Sequence, residues 1–391
     1  MIKIDDNKDC CGCNACIIAC PKQCISRTTD SEGFWYPVVD LSKCIDCSLC
    51  EKVCPELNEN QESKPLECLA AINNDLEIRK NSSSGGVFFE LARLTIQDGG
   101  VVFGAKFNEK WEVVHDMSKT LDYLSMFRGS KYVQSDTIKT YSQVKDYLKN
   151  NTKVLFSGTP CQIAGLKRFL RKEYEKLITV DFICHGVPSP FVWSKYLDAL
   201  PLDRNKIQSI SFRDKAKGWK LFSLSIQGEN FHYHKKLNED LYVRGFLKDL
   251  YLRPSCYSCS AKAGKSGSDI TLADFWGIQN IKPEIDDDKG VSAILLNTTK
   301  GNEYFNRANL STYKCSYEEI LKYNPSLVQS VKEPLGRVQF FEKFNNSEIS
   351  LLKILEELTK VPFSSIQLLK KVVRIILNKV GLLPTVKRLI K

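Results

Sequence analysis

The chain has 391 residues, 43% hydrophobic and 26% charged, with a net charge of +10; such a composition excludes a disordered or fibrous chain and allows two or three globular domains. No run approaches the roughly 18 to 20 apolar residues of a membrane-spanning helix, and the start Met1-Ile2-Lys3-Ile4-Asp5-Asp6 lacks a signal-peptide core, so a cytoplasmic setting with reduced thiols is expected. The sixteen cysteines then point to metal or redox chemistry rather than to disulfides.

Ten of the sixteen fall between Cys10 and Cys54. Cys10, Cys13, Cys16 and Cys20 are spaced Cys-x-x-Cys-x-x-Cys-x-x-x-Cys and followed by Pro21; Cys44, Cys47, Cys50 and Cys54 repeat the spacing before Pro55. This is the two-cluster ferredoxin pattern, in which three close thiolates wrap one [4Fe–4S] cube and the fourth crosses to the other. It assigns Cys10, Cys13, Cys16 and Cys54 to one cluster and Cys44, Cys47, Cys50 and Cys20 to the second. Zinc sites take cysteines in pairs across a longer gap. Cys11 and Cys24 lie outside the register and are expected to be small buried residues beside the clusters. Residues 33–39 read as a strand covering the clusters, and the polar stretch 56–65 as a linker closing a ferredoxin-like domain at 1–60.

From residue 66 strands and helices alternate. Strands are expected at 69–72, 101–105, 153–156 and 177–183, with helices at 85–97, 140–149 and 160–174; residues 207–234 are more β-like. The fold class is therefore α/β with mixed α+β character, over a main domain at 66–345. Three loops carry chemical character. Asn81-Ser82-Ser83-Ser84-Gly85-Gly86 precedes a helix and suits a phosphate, or is an ordinary cap. Arg128-Gly129-Ser130-Lys131-Tyr132 offers a close backbone approach, a cation and a ring. Ser157-Gly158-Thr159-Pro160-Cys161 links a strand to a helix. Cys161 and Cys184 each follow an apolar strand, and parallel strands deliver their C-terminal ends to one edge; with the pair Cys256 and Cys259, four thiols are available. Spacing alone leaves a third cluster, a zinc site and unrelated buried cysteines open.

The sequence resembles the coenzyme F420 hydrogenase/dehydrogenase beta-subunit family. The resemblance rests on Ser83-Ser84-Gly85-Gly86, Arg128-Gly129-Ser130-Lys131-Tyr132, Gly158-Thr159-Pro160-Cys161-Gln162, Cys184-His185-Gly186-Val187-Pro188-Ser189, Phe212-Arg213-Asp214-Lys215, Cys256-Tyr257-Ser258-Cys259, Ser268-Asp269-Ile270 and Asp274-Phe275-Trp276-Gly277. It implies a flavin-binding domain holding FAD, and a [4Fe–4S] cluster on Cys161, Cys184, Cys256 and Cys259. It places the flavin against Ser83, Ser84, Gly85, Gly86, Gly129, Ser130, Lys131, Tyr132 and Thr159. Lys131 near the flavin ring would stabilise its anionic reduced form, and Tyr132 would stack on it. Some members reduce a deazaflavin coenzyme and others use different acceptors or donors, so the implied partners are a small molecule or deazaflavin, with ferredoxin or another redox subunit.

His185, beside Cys184, reads either as a proton carrier or as a residue fixing the Gly186-Val187-Pro188 turn. His232 and His234 alternate on one strand face without further ligands. Asp269 and Asp274 are expected to cap turns around the flavin loop, and Cys68 and Cys315 to be core residues. A tail at 346–391 is basic: residues 351–391 hold nine Lys/Arg against two Glu, with Ile366, Leu369, Val373, Ile376 and Val380 at helical spacing. Such a helix suits an anionic membrane face, here the inner one, or an acidic partner; no base-reading motif points to nucleic acid. Two functions remain: an iron–sulfur flavin-dependent oxidoreductase exchanging a hydride with a substrate, or an electron-relay subunit whose partner does the chemistry. A reductase serving cell-surface polysaccharide synthesis is a further alternative.

Overall fold

The computed structural model of the protein describes residues 1–346 and 348–360; the amphipathic stretch read from Ile366 onward lies outside them. Between the two cysteine repeats the chain forms an antiparallel hairpin, β1 (Ile25–Thr29) and β2 (Trp35–Val39). The sequence had shown only the second strand. Asp30 closes the turn: its Oδ1 accepts from the Glu32 and Phe34 amides at 3.0 and 2.8 Å.

The main sheet has eight strands, to which β3 (Glu67–Asn73), β4 (Val101–Phe107), β5 (Val113–Ser118), β6 (Val154–Ser157) and β7 (Leu177–Phe182) contribute first. The β-like region 207–234 forms a separate antiparallel sheet of β8 (Ile207–Asp214), β9 (Ser223–Gly228) and β10 (His232–Lys236). The chain then returns to the main sheet as β11 (Ile270–Asp274), β12 (Ser292–Leu296) and β13 (Leu310–Lys314), giving the order β13-β3-β12-β11-β7-β6-β4-β5. Strands β4, β6, β7 and β11 run parallel. β12 is antiparallel to both β11 and β3, so β3 points the same way as the parallel set. The C-terminal ends of β3, β6, β7 and β11 therefore open on one edge, the place where open α/β sheets bind ligands.

The helix after β6 shows why the chain turns there. Thr159 and Gln162 form a capping box and Pro160 occupies the first turn, satisfying amides that the helix leaves free. It ends at Leu170 rather than 174 because Arg171 adopts a left-handed conformation, φ 61°.

The N-terminal segment is embedded rather than tethered. Phe34 and Tyr36 share a core with Trp193, Phe212 and Tyr242, and Cys11, Cys13 and Val53 share another with Tyr141, Phe156 and Leu166. Phe34 is completely buried, worth about 1.5–3 kcal/mol. The polar stretch 56–65 is strapped down: Asn60 Nδ2 donates to Lys265 O at 2.8 Å and the Ser63 amide to Ala263 O at 3.0 Å. Beyond 345, the helix Leu351–Thr359 buries Ile354 and Leu355 in the core that holds Phe34, so the packed body reaches residue 359. Among the described residues no helix is long and apolar enough to cross a membrane.

Candidate functional site

The N-terminal cysteines line two separate cavities. One is ringed by Cys10, Cys13, Cys16 and Cys54, the other by Cys20, Cys44, Cys47 and Cys50. The crossing of Cys20 and Cys54 follows the spacing. The two loops share a conformation: Gly12 and Asn14 in the first have φ 71° and 66°, and Asp46 and Ser48, at the equivalent places in the second, 49° and 54°. Three of these four are not glycine, and such strained backbone persists where the surroundings impose it. The Ile2 amide donates to Cys50 Sγ at 3.2 Å. Cys11 and Cys24 are buried as expected, yet each also lines a cavity, and Cys24 Sγ stands 3.3 Å from Cys20 Sγ. Burial, reinforced by neighbouring thiols, pushes the Cys16 and Cys54 thiols up; a metal that draws off their protons relieves that cost.

The third set does converge. Cys161 follows β6, Cys184 follows β7, and the turn at Pro254–Ser258 brings Cys256 and Cys259 to them. Burial pushes Cys184 up to about 12 and Cys259 up to about 11, with nearby Cys161 adding to both. Cys256 is raised by burial and then by Cys184. Donors are in place: the Val187 amide reaches Cys256 Sγ at 3.4 Å, and Thr159 Oγ1 lies 3.2 Å from Cys161 Sγ. Lys262, which no sequence motif flagged, is buried here; its ammonium donates to the Cys184 and Ser326 carbonyls and offsets part of the thiols' shift. The buried Cys11 thiol is raised by its neighbours, Cys13 of the first ring acting first, and Cys161 of the third ring lies beside it as well. Among the described residues no three His, Cys, Asp or Glu close on a point as one ion requires; the N-terminal thiols line cavities instead.

The two loops assigned to a flavin meet. Ser83 Oγ lies 2.9 Å from Ser130 Oγ and accepts from the Ser130 amide at 2.6 Å. Ser84 Oγ donates to Val291 O at 2.8 Å, and the Gly85 amide donates to Ser292 Oγ at 3.0 Å, so both groups serve the fold. Gly85 sits so close to β3 that a Cβ would fall 2.4 Å from Ala71 O, and Gly86 caps the helix Val87–Gln97 at φ 84°. Gly129, φ 81°, faces open space. Lys131, half-buried, donates among the described residues only to the Arg128 and Gly129 carbonyls, at 2.9 and 3.1 Å, and burial pulls its ammonium down to about 7. The Tyr132 ring stacks on Phe246 at 4.5 Å, so one face is already taken.

Behind these loops lies an ion pair whose two halves sit in separate sequence motifs, with nothing in either to show that they meet. Arg213, almost fully buried, pairs with Asp274 at 2.8 Å. It also donates to Tyr132 Oη at 3.3 Å and Ser83 O at 3.4 Å, while its Nε has no partner among the described residues. Asp274 thus anchors a cation rather than capping a turn. Asp269 likewise does not cap the flavin loop: its Oδ2 accepts from the Thr179 amide and hydroxyl, both at 2.8 Å, tying β7 to the segment before β11. His185 is bound through Nε2 to Asp249 Oδ1 at 2.6 Å, a partner invisible in the sequence. His232 and His234 lie in the small sheet against Ser225 and Asp214. Cys68 is buried, and its carbonyl accepts from the Cys315 amide at 3.2 Å.

Residues 9–57 match the 4Fe-4S dicluster domain, and residues 151–318 match the C terminus of the coenzyme F420 hydrogenase/dehydrogenase beta subunit. An uncharacterized protein of Methanocaldococcus jannaschii is 23% identical over 351 residues, covering 80% of this chain and 90% of its own. An uncharacterized protein of Porphyra purpurea is 39% identical over 51 residues, 12% of this chain and 64% of its own. A chain of the F420-reducing [NiFe] hydrogenase complex from Methanosarcina barkeri superposes on 76% of this chain and 93% of its own, with a TM-score of 0.47 and 17% identity. The rings and the dicluster match define an iron–sulfur protein of the electron-transfer type. Over residues 151–318 it is similar to the coenzyme F420 hydrogenase/dehydrogenase beta subunit.

Proposed function

We propose that the protein is an iron–sulfur flavoprotein oxidoreductase with three [4Fe–4S] clusters and one FAD. The clusters are held by Cys10, Cys13, Cys16 and Cys54, by Cys20, Cys44, Cys47 and Cys50, and by Cys161, Cys184, Cys256 and Cys259. The observation that carries the reading is the shared sheet edge: the third ring and the joined loops at Ser83 and Ser130 both lie at strand ends of one sheet, and Cys11 lies beside a cysteine of each of the third and first rings. Gly129, Ser130, Lys131, Thr159 and the unpartnered Arg213 Nε offer donors to a flavin. A bound flavin exchanges a hydride with a substrate and passes single electrons to clusters. Lys131, free of a carboxylate, places a cation or a proton beside the ring. His185, oriented by Asp249, holds a proton at its imidazole. The substrate is a small molecule or a deazaflavin coenzyme such as F420.

One observation favours the second reading, an electron-relay subunit. Around the second ring Cys47 is exposed, and Leu41 and Ile45 are 66% and 58% exposed, an apolar rim on which a redox partner would dock.

Anaerobic purification with iron, sulfide and flavin counted per chain tests the proposal. About twelve iron, twelve sulfide and one flavin are expected from three four-iron clusters. About eight iron without flavin would remove the flavoenzyme reading and leave the relay.

A further inference from the structure

Arg253 is completely buried, and none of the ion pairs among the described residues includes it. Its guanidinium donates to three neutral acceptors: Nε to Cys10 O at 2.6 Å, Nη1 to Gln134 Oε1 at 3.2 Å, and Nη2 to Trp35 O at 3.0 Å. The rings of Tyr36 and Phe34 lie 4.4 and 5.5 Å from its central carbon. A desolvated cation with only neutral partners is strongly disfavoured unless negative charge lies close by. The fork presses on the first cysteine ring: a Cβ on Gly12, between Cys11 and Cys13, would fall 2.8 Å from Nη1. The backbone of the same residue fixes the third ring. Its carbonyl accepts from the Cys256 amide at 2.9 Å, its amide donates to Val187 O at 2.9 Å, and the Val187 amide donates to Cys256 Sγ at 3.4 Å.

We infer that Arg253 is the shared counter-cation of the first and third rings, setting the reduction potentials of the clusters they hold. The inference rests on the proposal that these rings carry clusters. A fixed positive charge in a poorly screened interior favours the more negative, reduced state of each cluster and raises its potential. The second ring, formed by Cys20, Cys44, Cys47 and Cys50, receives no hydrogen bond from Arg253 among the described residues. Arg253 moves no proton and touches no substrate. It is a positioning and tuning residue, and it joins two rings whose cysteines lie at positions 10 to 54 and 161 to 259 of the chain.

The test is an EPR-monitored redox titration of the anaerobic holoprotein with iron counted per chain. Wild type is compared with Arg253→Gln, Arg253→Lys and Gln134→Glu, and Cys47→Ser and Cys259→Ser variants assign the signals. Arg253→Gln is expected to lower the reduced-to-oxidised ratio of the first and third clusters about tenfold at fixed potential, a shift of about 59 mV for one electron, and to leave the second cluster unmoved. Arg253→Lys retains most of the potential. Gln134→Glu, which sets a carboxylate against Nη1, moves the same two clusters in the same direction as Arg253→Gln. Three unshifted potentials at full iron content, or an equal shift of all three, would overturn the inference. Where the Arg253 variants fail to assemble their clusters, Gln134→Glu decides by the same criterion. A wild-type protein with only eight iron refutes the third cluster alone, and the first cluster's potential still tests Arg253.

Discussion

Gly165 lies directly against Cys13: a methyl group on its α carbon would stand 2.8 Å from both Cβ and Sγ of that cysteine. Gly165 belongs to the helix Pro160–Leu170, whose first turn carries Cys161. One helix therefore supports the third ring with its N-terminus and presses on the first ring one turn later. Gly165→Ala forces Cys13 to move, since added volume in a filled interior costs about 1–3 kcal/mol. The expected result is loss of about four iron per chain, one cluster, with the remaining clusters retained. Full iron content and an unchanged visible spectrum would show that the contact has slack.

Asp274→Asn leaves the buried Arg213 guanidinium without its counter-charge. Breaking one side of a buried pair costs about 3–5 kcal/mol. Trp219 Nε1, which donates to Asp274 Oδ1 at 3.1 Å, is affected too. Denaturation is expected to show a loss of that size, together with flavin release on desalting. The double variant Arg213→Met with Asp274→Asn should recover part of the stability but none of the flavin binding. Equal flavin retention in all three proteins would place the cofactor elsewhere.

What the sequence made legible depended on how far apart the cooperating residues are. The dicluster rings were readable because six of their eight cysteines act in runs of three, and only Cys20 and Cys54 cross over. Strands β3, β4, β6 and β7 were readable because burial on both faces gives apolar runs such as Val154-Leu155-Phe156. β1, Ile-Ser-Arg-Thr-Thr, has one buried residue in five and gave no such run. Arg253 was not legible at all: its acceptors are backbone carbonyls of residues 10 and 35 and the side chain of residue 134, which no local pattern encodes. The one hint was an arginine three positions before a Cys-x-x-Cys pair. Arg213 and Asp274 were visible as motifs, but their pairing requires the small sheet to fold back over the edge of β11.

Cys11 separates two roles that its position leaves adjacent. Its thiol lies beside Cys13 and Cys161, but it stands outside both sets of four. Cys11→Ala is expected to keep all the iron, because neither cluster loses a ligand, with a stability cost on the order of 1 kcal/mol for a small buried side chain. Iron analysis decides: a drop of about four would make Cys11 a ligand and displace Cys13 or Cys161 from the assignment.

His115 and Asp181 give the fold opposing responses to acid. His115 is buried against Phe156 at 5.3 Å; its Nε2–H donates to Ser157 O and Nδ1 accepts from Ser135 Oγ, both at 2.9 Å. Burial lowers it from 6.5 to about 4. Between these values the unfolded chain takes a proton that the folded one refuses. Its contribution, about 3 kcal/mol at 1.36 kcal/mol per pH unit, is therefore full above pH 6.5 and lost as pH falls toward 4. Asp181 is buried and raised from 3.8 to about 6, so the folded chain holds a proton that the unfolded one releases. Its contribution is full below 3.8 and lost as pH rises to 6. The two slopes oppose each other across pH 4 to 6. Anaerobic urea denaturation between pH 7 and 5 should show His115→Gln gaining stability on acidification relative to wild type, and Asp181→Asn losing it. Parallel curves for the three proteins would mean that neither group changes its protonation on unfolding in this range.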